Sequence, residues 1–250
     1  MAKTHITPIL QIQDISYHVG DREILSHVSL DVSRGEFVCL TGPSGCGKST
    51  LASIVAGLTQ QSAGTVLIDS DTINRVTLIS QENTLFPWKT IRQNMLLGMY
   101  GQSGTKEEKM EKAETVLQEF GLVEHIDLYP GQLSGGLKQR AHIARSLLYG
   151  AEIVILDEPF SALDDQTRRH MQQALLAIWQ KLGLTIIFIT HYLAESIILS
   201  DTIYVMKPRP GEIVEKIEVT LPRPRKREDR AKKSFRDIED RLFEKLKEFV

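Results

Sequence analysis

The apolar run Phe37-Val38-Cys39-Leu40 leads into Gly42-Pro43-Ser44-Gly45-Cys46-Gly47-Lys48-Ser49-Thr50, and a helix-like stretch through Leu58 follows. An apolar strand, a glycine-rich loop and a helix in immediate succession leave few architectures open. The glycines let backbone N–H groups converge at the positive end of the helix, which suits phosphate oxygens. In that reading Lys48 bridges the β- and γ-phosphates of a nucleotide, the Ser49 hydroxyl ligates Mg²⁺, and Thr50 adds a contact to the α-phosphate. The competing reading is a glycine-rich turn without ligand. The number of fixed positions and the strand–loop–helix context weigh against it.

Further β-rich runs occur at Ile9 to Ile15, Val76 to Ser80, Ile153 to Leu156, Thr185 to Thr190 and Thr202 to Met206. Several are continuously apolar, as parallel strands covered on both faces must be. Helical patterns alternate with them, notably from Asp164 to Leu182, which predicts a layered α/β core. The span 90–149 differs, with amphipathic helix from Glu107 to Phe120 (Met110, Ala113, Val116, Leu117 and Phe120 on one side) and no convincing strand. It reads as a helical insertion. After Pro222 the chain turns basic, and then Phe235, Ile238, Leu242, Phe243, Leu246 and Phe249 recur at helical spacing. The expected plan is therefore a core of 1–89 and 150–222, an inserted helical part at 90–149, and a basic helical extension at 223–250. By default the basic run is a solvated helix face, and contact with anionic lipid headgroups is the alternative.

Composition narrows the setting. A net charge of -2 over 250 residues gives no reason to expect nucleic acid as a partner. No run approaches the roughly 18 consecutive apolar residues of a membrane span. The N-terminus lacks the apolar core of a secretory signal. Only two cysteines occur, Cys39 and Cys46, and no structural disulfide is expected, which fits a reducing cytoplasm. If the protein works at a membrane, something else must anchor it.

Two more segments complete the pattern. Leu133-Ser134-Gly135-Gly136 is followed by Lys138-Gln139-Arg140-Ala141-His142-Ile143-Ala144-Arg145, and the strand Ile153-Val154-Ile155-Leu156 ends in Asp157-Glu158-Pro159. Alone, the first is a flexible turn and the second an acidic strand end. With the glycine loop, and in this order, they resemble the ATP-binding subunit of an ABC transporter. The resemblance covers nearly all of residues 9–222. It implies an α/β, P-loop ABC-type nucleotide-binding domain with an antiparallel β part and an inserted α-helical subdomain.

The resemblance also implies roles. Asp157 would hold Mg²⁺ through water, and Glu158 would be the general base that polarises the attacking water. His191, after Thr185 to Thr190, matches the switch histidine that contacts the γ-phosphate. Gln81, after Val76 to Ser80, matches the glutamine that reaches Mg²⁺ and the water. Ser134, Gly135 and Gly136 would close over ATP held by a second copy of the domain, so the motif implies a homodimer with two ATPs at its interface. Ser161-Ala162-Leu163-Asp164 resembles the loop that supports the partner's site, and Asp164 could equally cap the next helix. Leu137 stands where many members carry Gln. Val19 occupies the position that often holds the adenine-stacking aromatic. Tyr17, on the same face two residues earlier, either substitutes for it or is a packed strand tyrosine.

Leu85-Phe86-Pro87-Trp88 lies where the family's membrane subunit docks, unless it is a buried turn. Together with Leu137 and the segments Met206 to Val214 and Leu221 to Arg225, it resembles importers of the nitrate, sulfonate and taurine group. The expectation is an ATPase at the cytoplasmic face of the membrane, energising uptake through a separate permease fed by an extracytoplasmic solute-binding protein. The alternatives are an exporter ATPase, and a soluble ABC ATPase of translation or DNA repair. Those soluble members usually carry paired domains, long coiled coils or zinc insertions, none of which appears in this sequence.

Overall fold

A computed structural model describes residues 8–69, 76–80, 84–100 and 102–249. Gln81 lies outside the described residues. The central sheet has the order β5 (Val76–Ile79), β6 (Ile153–Asp157), β7 (Thr185–Ile189), β3 (Phe37–Thr41), β8 (Thr202–Lys207), β9 (Glu212–Glu218). All its pairings are parallel except β8 with β9. A second, antiparallel sheet has the order β2 (Arg22–Ser33), β1 (Pro8–Val19), β4 (Ala63–Ile68).

Alternation along the central strands divides the core into two layers. Phe37, Cys39, Val154, Leu156, Ile186, Phe188, Ile203 and Val205 face one apolar cluster, which continues into the helices. Val38, Leu40, Ile153, Ile155, Ile187, Ile189, Tyr204 and Met206 face the other, shared with the antiparallel sheet and α1 (Lys48–Val55). Side chains two apart share a face, so a continuously apolar strand must be covered on both sides. The strands β2, β4 and β9 do not stand out in the sequence. Ser26 and His27, the latter at φ +49°, interrupt the alternation of β2, and β4 is mostly exposed.

Among the described residues between β5 and β6 every regular element is helical. The helices are α2 (Ile91–Gly98), α3 (Lys106–Glu119) and α4 (Gly135–Leu147), with short 3₁₀ turns between them. Thr90 and Thr105 start α2 and α3 with capping boxes, each side chain accepting from the backbone of the third helical residue. Of the stripe expected in α3, Ala113, Val116, Leu117 and Phe120 are buried and Met110 is half-buried. The buried four join the same cluster as α5 (Asp165–Leu182), so helical part and sheet share one core.

The C-terminal basic run departs from the expected solvated face at Arg223 and Arg225, while Lys226, Arg227, Arg230, Lys232, Lys233 and Arg236 are exposed. Arg225 is 7% exposed. Its guanidinium donates to the carbonyls of Leu221 (3.0 Å), Ile197 (2.9 Å), Val219 (2.9 Å) and Ser200. Arg223 donates to Leu199 O (2.6 Å) and Asp201 and stacks 4.6 Å from the Trp179 ring. The reason is local: α6 (Leu193–Leu199) ends there, and the last carbonyls of a helix have no partner within it. A guanidinium with five donors satisfies several at once. Beyond it, α7 (Lys233–Lys247) buries Phe235 and Leu242 completely, while Phe243 stays 56% exposed.

Candidate functional site

The glycine loop sits at the C-terminal end of β3, where open α/β sheets present ligand sites. Its shape is set by close approaches. A Cβ on Gly42 would lie 2.4 Å from Met206 O, and one on Gly47, at φ +96°, would lie 2.5 Å from Leu25 Cδ2. Only glycine fits both. Gly47 precedes α1 without a side-chain cap, so the first N–H groups of the helix face the loop uncapped. Lys48, 6% exposed, folds its ammonium into the loop, donating to Gly42 O and Pro43 O at 2.9 Å each and approaching Cys46 Sγ at 3.5 Å.

Parallel register brings the second element alongside. Asp157 of β6 is level with Ile189 of β7, and the Ser49 side chain lies beside the Asp157 carboxylate and favours its charged form. Burial, chiefly, raises Asp157 above its ordinary carboxylate value, with Glu158 adding and Ser49 and Lys48 opposing. A hydroxyl and a carboxylate oxygen side by side are the hard donors that Mg²⁺ takes together with substrate phosphates. Among the described residues no group of three or more His, Cys, Asp or Glu gathers into a cage, and such a Mg²⁺ needs none.

Glu158 follows at φ +47°, a left-handed conformation costing roughly 1–2 kcal/mol for a residue with a Cβ. It is held by its own N–H, which donates to Ile189 O at 3.0 Å. The turn brings Glu158 Oε2 within 3.1 Å of His191 Nδ1. The His191 turn is held in its own right: Thr190 donates to Glu195, 4% exposed, and accepts from the Tyr192 N–H at 3.1 Å. Sequence reasoning missed Thr190 and Glu195, because nothing local to Glu195 marks it as the anchor of a turn four residues earlier.

Ser134 is the N-cap of α4, and its hydroxyl accepts from Leu137 N at 3.4 Å. It is exposed, as is Gly135, around which an added Cβ would meet nothing within 4 Å. Gly136 is half-buried beside Leu163 and Thr167. Asp164 caps α5, accepting from Gln166 N and Thr167 N at 3.0 Å each, which lowers its pKa. Ser161 donates to Glu158 O at 3.0 Å. Tyr17 is half-buried and packs on the apolar cluster between the sheets, while Val19 is 58% exposed. Leu85 is buried, whereas Phe86 and Trp88, 37% and 69% exposed, pack against each other on the surface with ring centroids 5.5 Å apart and planes tilted by 60°.

Comparison with known proteins places the chain in a family. The family model described as ABC transporter matches residues 25–161. The chain is 39% identical over 224 residues to the nitrate import ATP-binding protein NrtD of Synechocystis, covering 85% of this chain and 83% of that one. It is 37% identical over 235 residues to the aliphatic sulfonates import ATP-binding protein SsuB of Bacillus cereus, covering 92% and 91%. Among solved structures it is similar to cbiO1 from Clostridium perfringens, part of the ABC transporter complex cbiONQ. There the TM-score is 0.77 and the identity 25%, with 96% and 98% of the chains covered. A dimeric bacterial ABC transporter cassette matches at TM-score 0.70 and 29% identity, over 85% and 100%. On its sequence and on its fold, this chain belongs to the ATP-binding proteins of ABC transporters.

Proposed function

We propose that this chain is the ATP-hydrolysing subunit of an importer for small anionic solutes of the nitrate and sulfonate kind, working as a dimer with separate permease subunits. The observation that carries the hydrolytic part is the convergence of Lys48, the Ser49–Asp157 pair and the Glu158–His191 pair at the ends of three neighbouring parallel strands. Lys48 and the helix N-terminus hold the phosphates of ATP. Ser49 and Asp157 would hold Mg²⁺, which supplies charge neutralisation for the transferring phosphoryl group. Glu158 accepts the proton of the attacking water, and His191 fixes the Glu158 carboxylate and reaches the γ-phosphate. Phosphoryl transfer asks mainly for such positioning. Gln81 is assigned to the same water by its place after β5.

Ser134 and Gly135 are solvent-facing and make only local contacts. That placement supports a role in closing over ATP on a second copy, with Asp164 and Gly136 lining the approach. Opening and closing then act on the permease through Phe86 and Trp88. Among the described residues no helix is long and apolar enough to cross a membrane; the names of the import relatives support assigning the membrane part to separate permease subunits. The names of the two import relatives support the solute class. The test is purification of the tagged protein from its native membranes in mild detergent. A multi-span permease should come with it, and the reconstituted complex should take up nitrate or an alkanesulfonate on ATP hydrolysis. Uptake of neither would remove the solute assignment, and absence of any permease would remove the importer.

A further inference from the structure

The half-buried Arg223 and the buried Arg225 carry the chain back across α5 and α6, and the next residues close a cleft of about 570 Å³ against those helices. That volume is in the range of small-molecule sites. Five of the thirteen described residues lining it are cationic and three are acidic. Half of these charges are already committed, Glu195 among them. Arg225 serves the carbonyls at the end of α6, Arg230 pairs with Glu239 at 2.8 Å, and Asp165 pairs with Arg168 at 3.2 Å. Arg169 and Arg227 have no hydrogen bond or ion pair among the described residues, and Lys226 adds a third cation beside them. With only the carboxylate of Glu228 against them among the uncommitted lining charges, these guanidinium groups leave the concave site net positive, and it attracts an anion. Their planar donors match the oxygens of phosphate or sulfonate bidentately.

The floor of the cleft is polar and connected to the hydrolytic site. Gln172 and Glu195, 9% and 4% exposed, line it, and Gln172 donates to Glu195 at 2.9 Å. The other oxygen of Glu195 holds Thr190, and Thr190 holds the turn that carries His191. From cleft to Glu158 the path is therefore Glu195, Thr190, His191 and a 3.1 Å contact.

We propose that this cleft binds a small solute bearing a phosphate or sulfonate group through Arg169 and Arg227, and that its occupancy adjusts the rate of ATP hydrolysis through Glu195 and the His191 turn. The rate effect rests on the assignment of His191 and Glu158. The binding does not, so the two parts fail separately.

The probe is inorganic phosphate, titrated calorimetrically into the full-length Lys48→Ala protein so that the nucleotide loop contributes little. Saturable binding is expected, weakened at least about tenfold when Arg169→Ala and Arg227→Ala are added. With Lys48 intact, ethanesulfonate should change kcat at saturating ATP without raising KM. The Arg169→Ala/Arg227→Ala protein should hydrolyse ATP normally and lose that response. Thr190→Val should keep phosphate binding and lose the response. Equal binding with and without the two arginines overturns the site, and an effect on KM alone places the anion in the nucleotide loop instead. Capture on phosphatidylglycerol vesicles but not phosphatidylcholine vesicles, dependent on the two arginines and without soluble phosphate binding, overturns the solute in favour of a lipid headgroup.

Discussion

His191 Nδ1 and Glu158 Oε2 stand 3.1 Å apart, each just beyond the end of its own parallel strand. The contact depends on Glu158 sitting at φ +47° with its N–H bound to Ile189 O. Hydrolysis in this arrangement requires a carboxylate at Glu158 that can take a proton. Glu158→Gln keeps the shape, the backbone hydrogen bond and a polar neighbour for His191, and removes the base. ATP hydrolysis should fall at least about a hundredfold, near 3 kcal/mol in barrier, with ATP affinity retained. A steady-state hydrolysis assay beside a nucleotide titration measures both. A variant that keeps most of its turnover would assign the base elsewhere.

Ser134 caps α4 from an exposed position. If it meets ATP held by another copy, a large cation there should block closure without touching the resident nucleotide. Ser134→Arg should bind ATP with near-parental affinity, stay monomeric with ATP and hydrolyse it poorly. The loss of the cap adds about 1 kcal/mol of destabilisation. Sizing with and without ATP, in the Glu158→Gln background, separates the two forms. An ATP-dependent dimer of Ser134→Arg would show that this serine is not at the interface.

The buried strands and the glycine loop are legible from sequence because their signals are local. Ile153 to Leu156 and Thr185 to Ile189 are apolar on both faces, and Gly42 to Ser49 fixes its own geometry. What the sequence hides depends on partners far along the chain. β2 looks irregular because its alternation is interrupted at Ser26 and His27, where the backbone turns to φ +49°, and Glu195 matters only through Thr190 and Gln172. The basic run after Pro222 reads as solvated because composition cannot reveal that Arg225 meets the carbonyls of Ile197 and Ser200. The same limit applied to His142, one residue among several in the α4 pattern.

His142 is 3% exposed, with Thr84 Oγ1 at 3.3 Å and the backbone of Ser80 as polar neighbours. Burial, and then the charge of Arg145, lower its pKa from 6.5 to about 4. Between those values the unfolded chain binds the proton and the folded one does not, so this residue makes stability rise with pH. Its contribution is complete above pH 6.5 and is lost as pH falls toward 4, on the order of 3 kcal/mol in all. Asp157 and Glu195, raised by burial, slope the other way in the acid range. They are unchanged in His142→Gln, so the difference between variant and parent isolates the histidine. Urea unfolding at pH 5 and pH 7.5 should show a smaller drop at acid pH in the variant, and an equal drop would mean that His142 is protonated in the fold.

Gly211 lies far along the chain from the glycine loop and packs directly on it. Its N–H donates to Ile24 O at 2.9 Å, and its carbonyl accepts from Ser26 N at 3.0 Å. A Cβ there would fall 2.2 Å from Cys46 O and 2.7 Å from Met206 Cε. The two backbone hydrogen bonds join the sheets and resist movement of Gly211 itself. The methionine end can swing aside, but the Cys46 carbonyl belongs to the loop that holds phosphate and must shift as a unit. Overpacking of this kind costs about 1–3 kcal/mol, and here part of it falls on the geometry of the binding loop. Gly211→Ala should therefore weaken ATP binding at least about tenfold, equivalent to about 1.4 kcal/mol, together with a lowered melting temperature. Gly131→Ala, where an added Cβ meets nothing within 4 Å, serves as the neutral control. If Gly211→Ala melts early yet binds ATP like the parent, the strain is absorbed by the joint between the sheets and never reaches the loop.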